Sequence, residues 1–238
     1  MRKIRVTPIR QEINQPRRFW LRRLLAAGAV GTVWGGGGRS LAMPTASSSP
    51  ASILHKRKGL VLINGISAEV GTPVTPGDSV FTGPDSEAVF VVGDDGFLLR
   101  ADSQVTIIDH RRGQALGGMV RELNLESGRI LSVFGPKQIT LKTPLANVGI
   151  RGTAAYLESD SASTNICVCY GHAVMTPNGA PHLSEEVKNH HHDTPRHIFS
   201  GPDGPVMEEL RALNHTDEEL IMLEALFGRV PPFVPKHG

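Results

Sequence analysis

Two cysteines and a downstream group of histidines are the residues of this chain best suited to chemistry. Cys167 and Cys169 are separated by one residue, and the sequence contains two cysteines in all. Thiolate sulfur and imidazole nitrogen together suit a tetrahedral Zn²⁺ ion, and they also suit the softer Cu(I) ion. The pattern therefore predicts a metal site built from both cysteines and two of His191, His192 and His197.

Other interpretations of the same residues stay open. Alternation along a strand places Cys167 and Cys169 on one face and Tyr170 on the other, so the thiols could be small, inert core residues. The dithiol could instead act in redox chemistry, and the histidine run could be a solvated loop. A disulfide between the two is disfavoured, because their Cα atoms would lie about 6.5–7 Å apart in an extended strand.

Three common catalytic motifs are absent from the sequence. It has no Gly-x-Ser-x-Gly turn, no His-Glu-x-x-His helix and no phosphate loop of the Gly-x4-Gly-Lys type. The segment Gly93-Asp94-Asp95-Gly96 lacks the flanking ligands of a calcium loop and predicts a hairpin turn instead. We therefore expect that this protein is not an enzyme.

The elements that must position the cysteines and histidines are predicted to be mainly β. From residue 59 to about 175, short apolar runs alternate with Gly, Pro or Asp turns, which is typical of a sandwich, barrel or solenoid. Residues 88–92 and 97–100 are predicted to form a hairpin. The core must be aliphatic, because aromatic residues make up only 5% of the chain. We expect a mainly β, sandwich- or solenoid-like domain with a short helical C-terminal extension.

The helical extension is predicted from its N-terminal cap. Thr216 followed by Glu219 forms a capping box, and the apolar stripe that begins at Leu220 and Leu223 has helical spacing. We expect this stripe to pack on the β body, with docking on a partner as the alternative. A shorter helix is expected before it, around residues 207–213.

The first residues of the chain follow the order of an export signal. A basic segment precedes the 11 apolar residues at 24–34, and the small-residue pattern Ser40-Leu41-Ala42 follows. Roughly 18 residues are needed to span a membrane, so no stable span is expected after cleavage near Ala42. Arg17-Arg18-Phe19-Trp20-Leu21-Arg22 resembles the twin-arginine export consensus, with a Sec signal or an uncleaved anchor as alternatives. Each places most of the chain outside the cytoplasm, and we expect a periplasmic protein.

The charge distribution argues against a nucleic-acid partner. The net charge is +2, and the basic residues concentrate before residue 24. The remainder of the chain is slightly acidic, which does not favour binding to a phosphate backbone.

Several segments resemble, in their order along the chain, the FecR domain family. They are VGTPVTPGDSVFTG at 70–83, SEAVFVV at 86–92 with Asp95-Gly96, LESGRI at 125–130 and VGIRGTAAY at 148–156. The resemblance implies a periplasmic, β-rich module, since the best-known members sense a loaded iron–siderophore receptor and signal to a sigma factor. Those regulators carry a cytoplasmic helical domain and a membrane span, whereas a short basic segment precedes the apolar stretch here. The resemblance therefore implies a binding or sensing role, and it does not extend to direct control of a sigma factor.

These patterns together predict the organisation of the chain. They indicate a signal peptide at 1–42, a linker at 43–58, a FecR-like β domain at 59–176, and a histidine-containing loop with a helical tail at 177–238. The leading hypothesis is an exported, non-catalytic module that recognises an envelope protein or ligand. The alternative is a metal-binding (Zn or Cu) or redox-active envelope protein that uses the cysteine pair and the histidines.

Overall fold

A computed structural model describes residues 50–108, 122–210 and 214–235 of the chain. The predicted signal peptide at 1–42 and residues 43–49 of the predicted linker lie outside the described residues. The described part is mainly β, as the sequence predicts, and it forms a sandwich-like domain built from one large sheet.

The elements are named here in chain order. The strands are β1 (Leu54–Lys58), β2 (Val61–Ile63), β3 (Ile66–Ser67), β4 (Ser79–Thr82), β5 (Glu87–Val92), β6 (Asp95–Leu99), β7 (Ser103–Ile108), β8 (Glu122–Val133), β9 (Gln138–Lys142), β10 (Ala146–Ser159), β11 (Ser163–Pro177), β12 (Glu185–Asn189), β13 (Arg196–Gly201) and β14 (Gly204–Glu209). A 3-10 turn covers Pro181–Leu183, and the helix α1 covers Asp217–Ala225.

The strands pair in the order β14-β13-β11-β10-β9-β8-β7-β4-β2-β3. Strand β12 also pairs with β11. The remaining strands are joined to the sheet through β8, which pairs with β6, while β6 pairs with β5 and β5 pairs with β1. Most pairs are antiparallel, and β8 with β9 is parallel. The predicted hairpin is confirmed as β5 and β6, in which Val92 lies opposite Asp95. Because β8, β10 and β11 are 12 to 15 residues long, they pair with different neighbours at their two ends and join the layers of the sandwich.

The central strands are buried on both faces. One face contributes to a large aliphatic core that includes Leu54, Phe90 and Ile130. Because side chains alternate along a strand, the neighbours of these residues reach the opposite face, where Val89 and Leu131 belong to a second core. Each aliphatic side chain that is fully buried stabilises the fold by about 1.5–3 kcal/mol before other terms are counted.

Helix α1 covers this second core, as expected for its apolar stripe. Thr216 and Glu219 form the predicted capping box, in which each side chain bonds to the other residue's backbone N–H. Leu220 and Leu223 are fully buried against the sheet, and Arg100 Nη2 lies 2.6 Å from a Glu219 carboxylate oxygen. An isolated helix of this length is marginal in water, so packing on the sheet must supply most of its stability.

The C-terminal region contains more strand than the sequence predicts. The prediction of a short helix around residues 207–213 is wrong for residues 207–210, the part of it that the structure describes. Met207 lies in strand β14 and pairs with Ile198 of β13. A tight turn between Gly201 and Gly204 joins these strands, and cross-strand pairing outweighs the weak helical spacing of the apolar residues. At the other end, Leu54–Lys58 of the predicted linker forms β1, since Leu54 is buried opposite Phe90.

A β-bulge corrects the predicted orientation of Tyr170. Ala155 pairs with Val168 and Ala154 pairs with Tyr170, so β11 carries one extra residue at this point. An extra residue shifts the alternation of the strand by one position, and Tyr170 therefore lies in the second core with the cysteines. Gly171 follows at φ +97°, a backbone conformation that favours glycine.

Candidate metal centre

Four side chains from three segments of the chain converge at the second core. Cys167 and Cys169 lie on β11, His192 lies in the connection between β12 and β13, and His215 directly precedes the N-cap of α1. Their ligand atoms all lie within 4.8 Å of one another. We call these four residues the Cys2His2 quartet.

The spacing of the quartet fits a tetrahedral ion. Cys167 Sγ lies 3.4 Å from His192 Nδ1, Cys169 Sγ lies 3.3 Å from His215 Nε2, and the two nitrogens are 3.1 Å apart. A tetrahedral Zn²⁺ ion with ordinary bond lengths would place sulfur and nitrogen about 3.5 Å apart and two nitrogens about 3.4 Å apart. These three distances therefore match the corresponding edges of the tetrahedron to within a few tenths of an ångström.

The loop that carries His192 is tied to the cysteine strand. The backbone N–H of His192 donates to the carbonyl oxygen of Cys169 at 2.9 Å. His192 has φ +49°, in the left-handed region, where a residue other than glycine is strained. Strain of this kind persists only where the surroundings hold the residue in place, and it is common at functional sites.

The two thiols are buried and differ in their acidity. Both cysteines are free and fully buried. A hydrogen bond from Cys169, with further contributions from His192 and His215, lowers the pKa of Cys167 well below its usual value. Burial, together with the neighbouring Cys167, raises the pKa of Cys169. A thiol whose pKa is lowered is a good metal ligand, because the thiolate is the form that binds the ion.

Contacts outside the quartet orient its two imidazoles. His192 Nε2 lies 3.0 Å from Asp217 Oδ1, which favours a proton on Nε2 and leaves the Nδ1 lone pair facing the thiols. Burial lowers the pKa of His192, but the hydrogen bonds to Cys167 and Asp217 outweigh it and raise that pKa. The ring of His215 stacks on Tyr156 with a centroid distance of 4.7 Å.

A second, more exposed group adjoins the quartet. His191 Nε2 lies 2.9 and 3.0 Å from the two carboxylate oxygens of Asp217. The ligand atoms of His191, His192 and Asp217 all lie within 4.8 Å of one another. We call these three residues the outer triad, and His192 belongs to both groups.

The structure brings together three of the five residues that the sequence singles out. Cys167, Cys169 and His192 belong to the quartet, and His191 lies beside it. His197 lies apart from the quartet, on β13, with its Nδ1 2.6 Å from Asn165 Oδ1 and its ring stacked on Phe199.

His215 completes the set in place of His197. Sequence reasoning missed it, although one signal was available: it directly precedes the cap of a helix that was expected to pack on the β body.

Within the described ranges, helix α1 is nine residues long, and no helix there combines the length and apolar character needed to cross a bilayer.

Comparison with known proteins finds distant structural neighbours and no family. No protein-family model and no curated protein sequence matches the chain. Two crystal structures of a candidate anti-sigma factor from Parabacteroides distasonis ATCC 8503, at 1.65 and 2.50 Å, align with a TM-score of 0.42 and 10% identity in each case. The alignments cover 56% and 63% of this chain, and 60% and 73% of the two neighbours. The chain thus spans about 60% of the first neighbour's length.

Proposed function

We propose that this protein is a metal-binding β domain in which the Cys2His2 quartet holds one Zn²⁺ ion. The observation that carries this proposal is the convergence of two buried thiols and two imidazoles at tetrahedral spacing. Sulfur and nitrogen donors in equal number and tetrahedral arrangement are typical of zinc, while Cu(I) is the alternative metal.

The composition of the quartet favours a structural role over a catalytic one. Structural zinc sites use four protein ligands, whereas catalytic sites keep one position open for water or substrate. The quartet supplies all four ligands, which supports a non-catalytic function. A redox role for the dithiol is less well supported, because thiol exchange needs an accessible sulfur and both cysteines are fully buried.

A bound Zn²⁺ ion would join parts of the fold that are distant along the chain. Its ligands come from β11, from the connection between β12 and β13, and from the segment that leads into α1. Two thiolates would balance the charge of the ion, so the filled site would be neutral and suited to burial. We infer that the ion fixes the C-terminal segment on the second core.

Export fits this proposal. Twin-arginine export moves folded proteins, so the cysteines of an exported chain could bind metal in the cytoplasm, where thiols stay reduced. The pattern at residues 1–42 therefore supports a protein that is loaded before it reaches the periplasm.

Metal analysis of two histidine variants tests the proposed function. After dialysis, the wild-type chain should retain about one Zn²⁺ ion, the number that one closed tetrahedral site holds. His215→Ala should lose most of this zinc, because it removes one of the four ligands. His197→Ala is the matched control and should retain it. Full retention by His215→Ala, or loss of zinc only in His197→Ala, would contradict the quartet, and copper in place of zinc would reassign the metal.

A second candidate function is recognition of an envelope protein, as the resemblance to the FecR family implies. Ile66 on the edge strand β3 is 73% exposed, and Leu60 and Val70, which are close to it in sequence, are also exposed. Exposed apolar side chains that form a patch are typical of protein-interaction sites. Val70 begins the resembling segment at 70–83, which supports a partner with an apolar contact surface at this edge of the sheet.

Crosslinking in the native envelope tests this second candidate. The wild-type chain should give one reproducible crosslinked product, because an apolar partner covers Ile66. Ile66→Lys should abolish the product, since a charge there would be desolvated on binding. Met222→Lys, at an exposed apolar position on α1, is the control and should leave it intact. A product that survives Ile66→Lys would count against this surface.

A further inference from the structure

The quartet raises the question of how an ion reaches it. Both cysteines are fully buried, and α1 covers the core to which they belong. The side chains of His191 and Asp217 are 44% and 40% exposed, whereas the side chain of His192 is 19% exposed. An ion that arrives from solvent on this side therefore meets the outer triad before it meets the thiols.

His192 connects the two groups through its two ring nitrogens. Its Nδ1 faces the quartet, 3.4 Å from Cys167 Sγ, and its Nε2 faces the outer triad, 3.0 Å from Asp217 Oδ1. One imidazole is thus shared between a buried set of ligands and an exposed set.

We propose that His191, His192 and Asp217 form a loading site that binds an incoming Zn²⁺ ion and passes it to the quartet. This inference rests on the proposed function. Two imidazole nitrogens and a carboxylate oxygen suit a borderline divalent ion, with water completing its coordination. The triad has fewer protein ligands than the quartet and lacks thiolates, so the ion should be held more weakly outside than inside.

Transfer between the groups would need an exchange of ligands and a change of the His192 tautomer. The ion would leave Nε2 of His192 and bind Nδ1 of the same ring, while Nδ1 loses a proton to water and Nε2 gains one from water. Asp217 then accepts the Nε2 proton in a hydrogen bond, as it does in the structure. No electron is transferred, and the thiol protons displaced by the ion pass to solvent.

Cobalt binding isolates the outer triad in a chain whose thiols have been removed. In Cys167→Ser/Cys169→Ser, Co²⁺ should still bind with reduced affinity and without the absorption bands of sulfur–cobalt charge transfer. Adding His191→Ala should abolish this residual binding, whereas adding His197→Ala should preserve it. If the serine variant binds no Co²⁺, or if adding His191→Ala leaves its Co²⁺ binding unchanged, the proposed loading site is refuted.

If the serine variant does not fold, the rate of metal loading in the chain with intact cysteines tests the loading site instead. After metal removal, His191→Ala should develop the sulfur–cobalt bands roughly tenfold more slowly than the wild-type chain, the lower end of effects seen when a group around a metal ligand is lost. His197→Ala should load at the wild-type rate. Equal rates for His191→Ala and wild type would refute the inference, whereas a wild-type chain that never shows these bands would refute the proposed function itself.

Discussion

Removal of the metal ion is expected to lower the free energy of unfolding by about 3–4 kcal/mol, the stabilisation that a ligand gives at 100 to 1,000 times its dissociation constant. The ion should bind the folded chain far better than the unfolded one, because the quartet comes from segments that meet only in the fold. Urea unfolding of the reduced protein, with and without a chelator, measures the effect.

The matched control for this experiment is Cys167→Ser/Cys169→Ser. Without the thiols of the quartet, the chelator should change its unfolding midpoint much less than that of the wild-type chain. Identical unfolding of the wild-type chain in both conditions would show that no ion contributes to its stability.

Truncation of the helix is expected to affect stability and metal binding together. Leu223 is fully buried in the second core, so Leu223→Ala should cost about 2–5 kcal/mol through lost burial and the cavity that remains. The same change should weaken zinc binding, because packing of α1 holds His215 and Asp217 in place. Competition against a coloured chelator measures the affinity, and chemical unfolding measures the stability.

The neighbouring residue provides the control for the helix experiment. Met222 is 36% exposed, and Met222→Ala should change stability by no more than about 0.5 kcal/mol. Zinc affinity should also stay at the wild-type level in this control. If Leu223→Ala destabilises the fold but binds zinc as the wild-type chain does, then α1 does not position the metal ligands.

Sequence reasoning is most successful where the information is local. The hairpin of β5 and β6 follows from two apolar runs around a Gly-Asp turn, and the cap of α1 follows from Thr216 and Glu219. Turn chemistry and alternation are properties of neighbouring residues, so a single sequence reveals them.

The complete ligand set depends on tertiary structure, which local patterns do not encode. His197 is nearer to the cysteines in sequence, but β13 places it beside Asn165. His215 reaches Cys169 only because α1 packs across the second core. The orientation of Tyr170 is likewise not predicted from the sequence. One extra residue in β11 moves its side chain to the face that carries the cysteines, opposite to the predicted one.

The coordination of the bound ion is the most direct test of the central claim. X-ray absorption at the zinc edge, measured on the reduced wild-type chain, should show two sulfur neighbours at about 2.3 Å and two nitrogen neighbours at about 2.0–2.1 Å. A first shell of nitrogen and oxygen alone, or a purified chain that retains no metal, would contradict the Cys2His2 quartet.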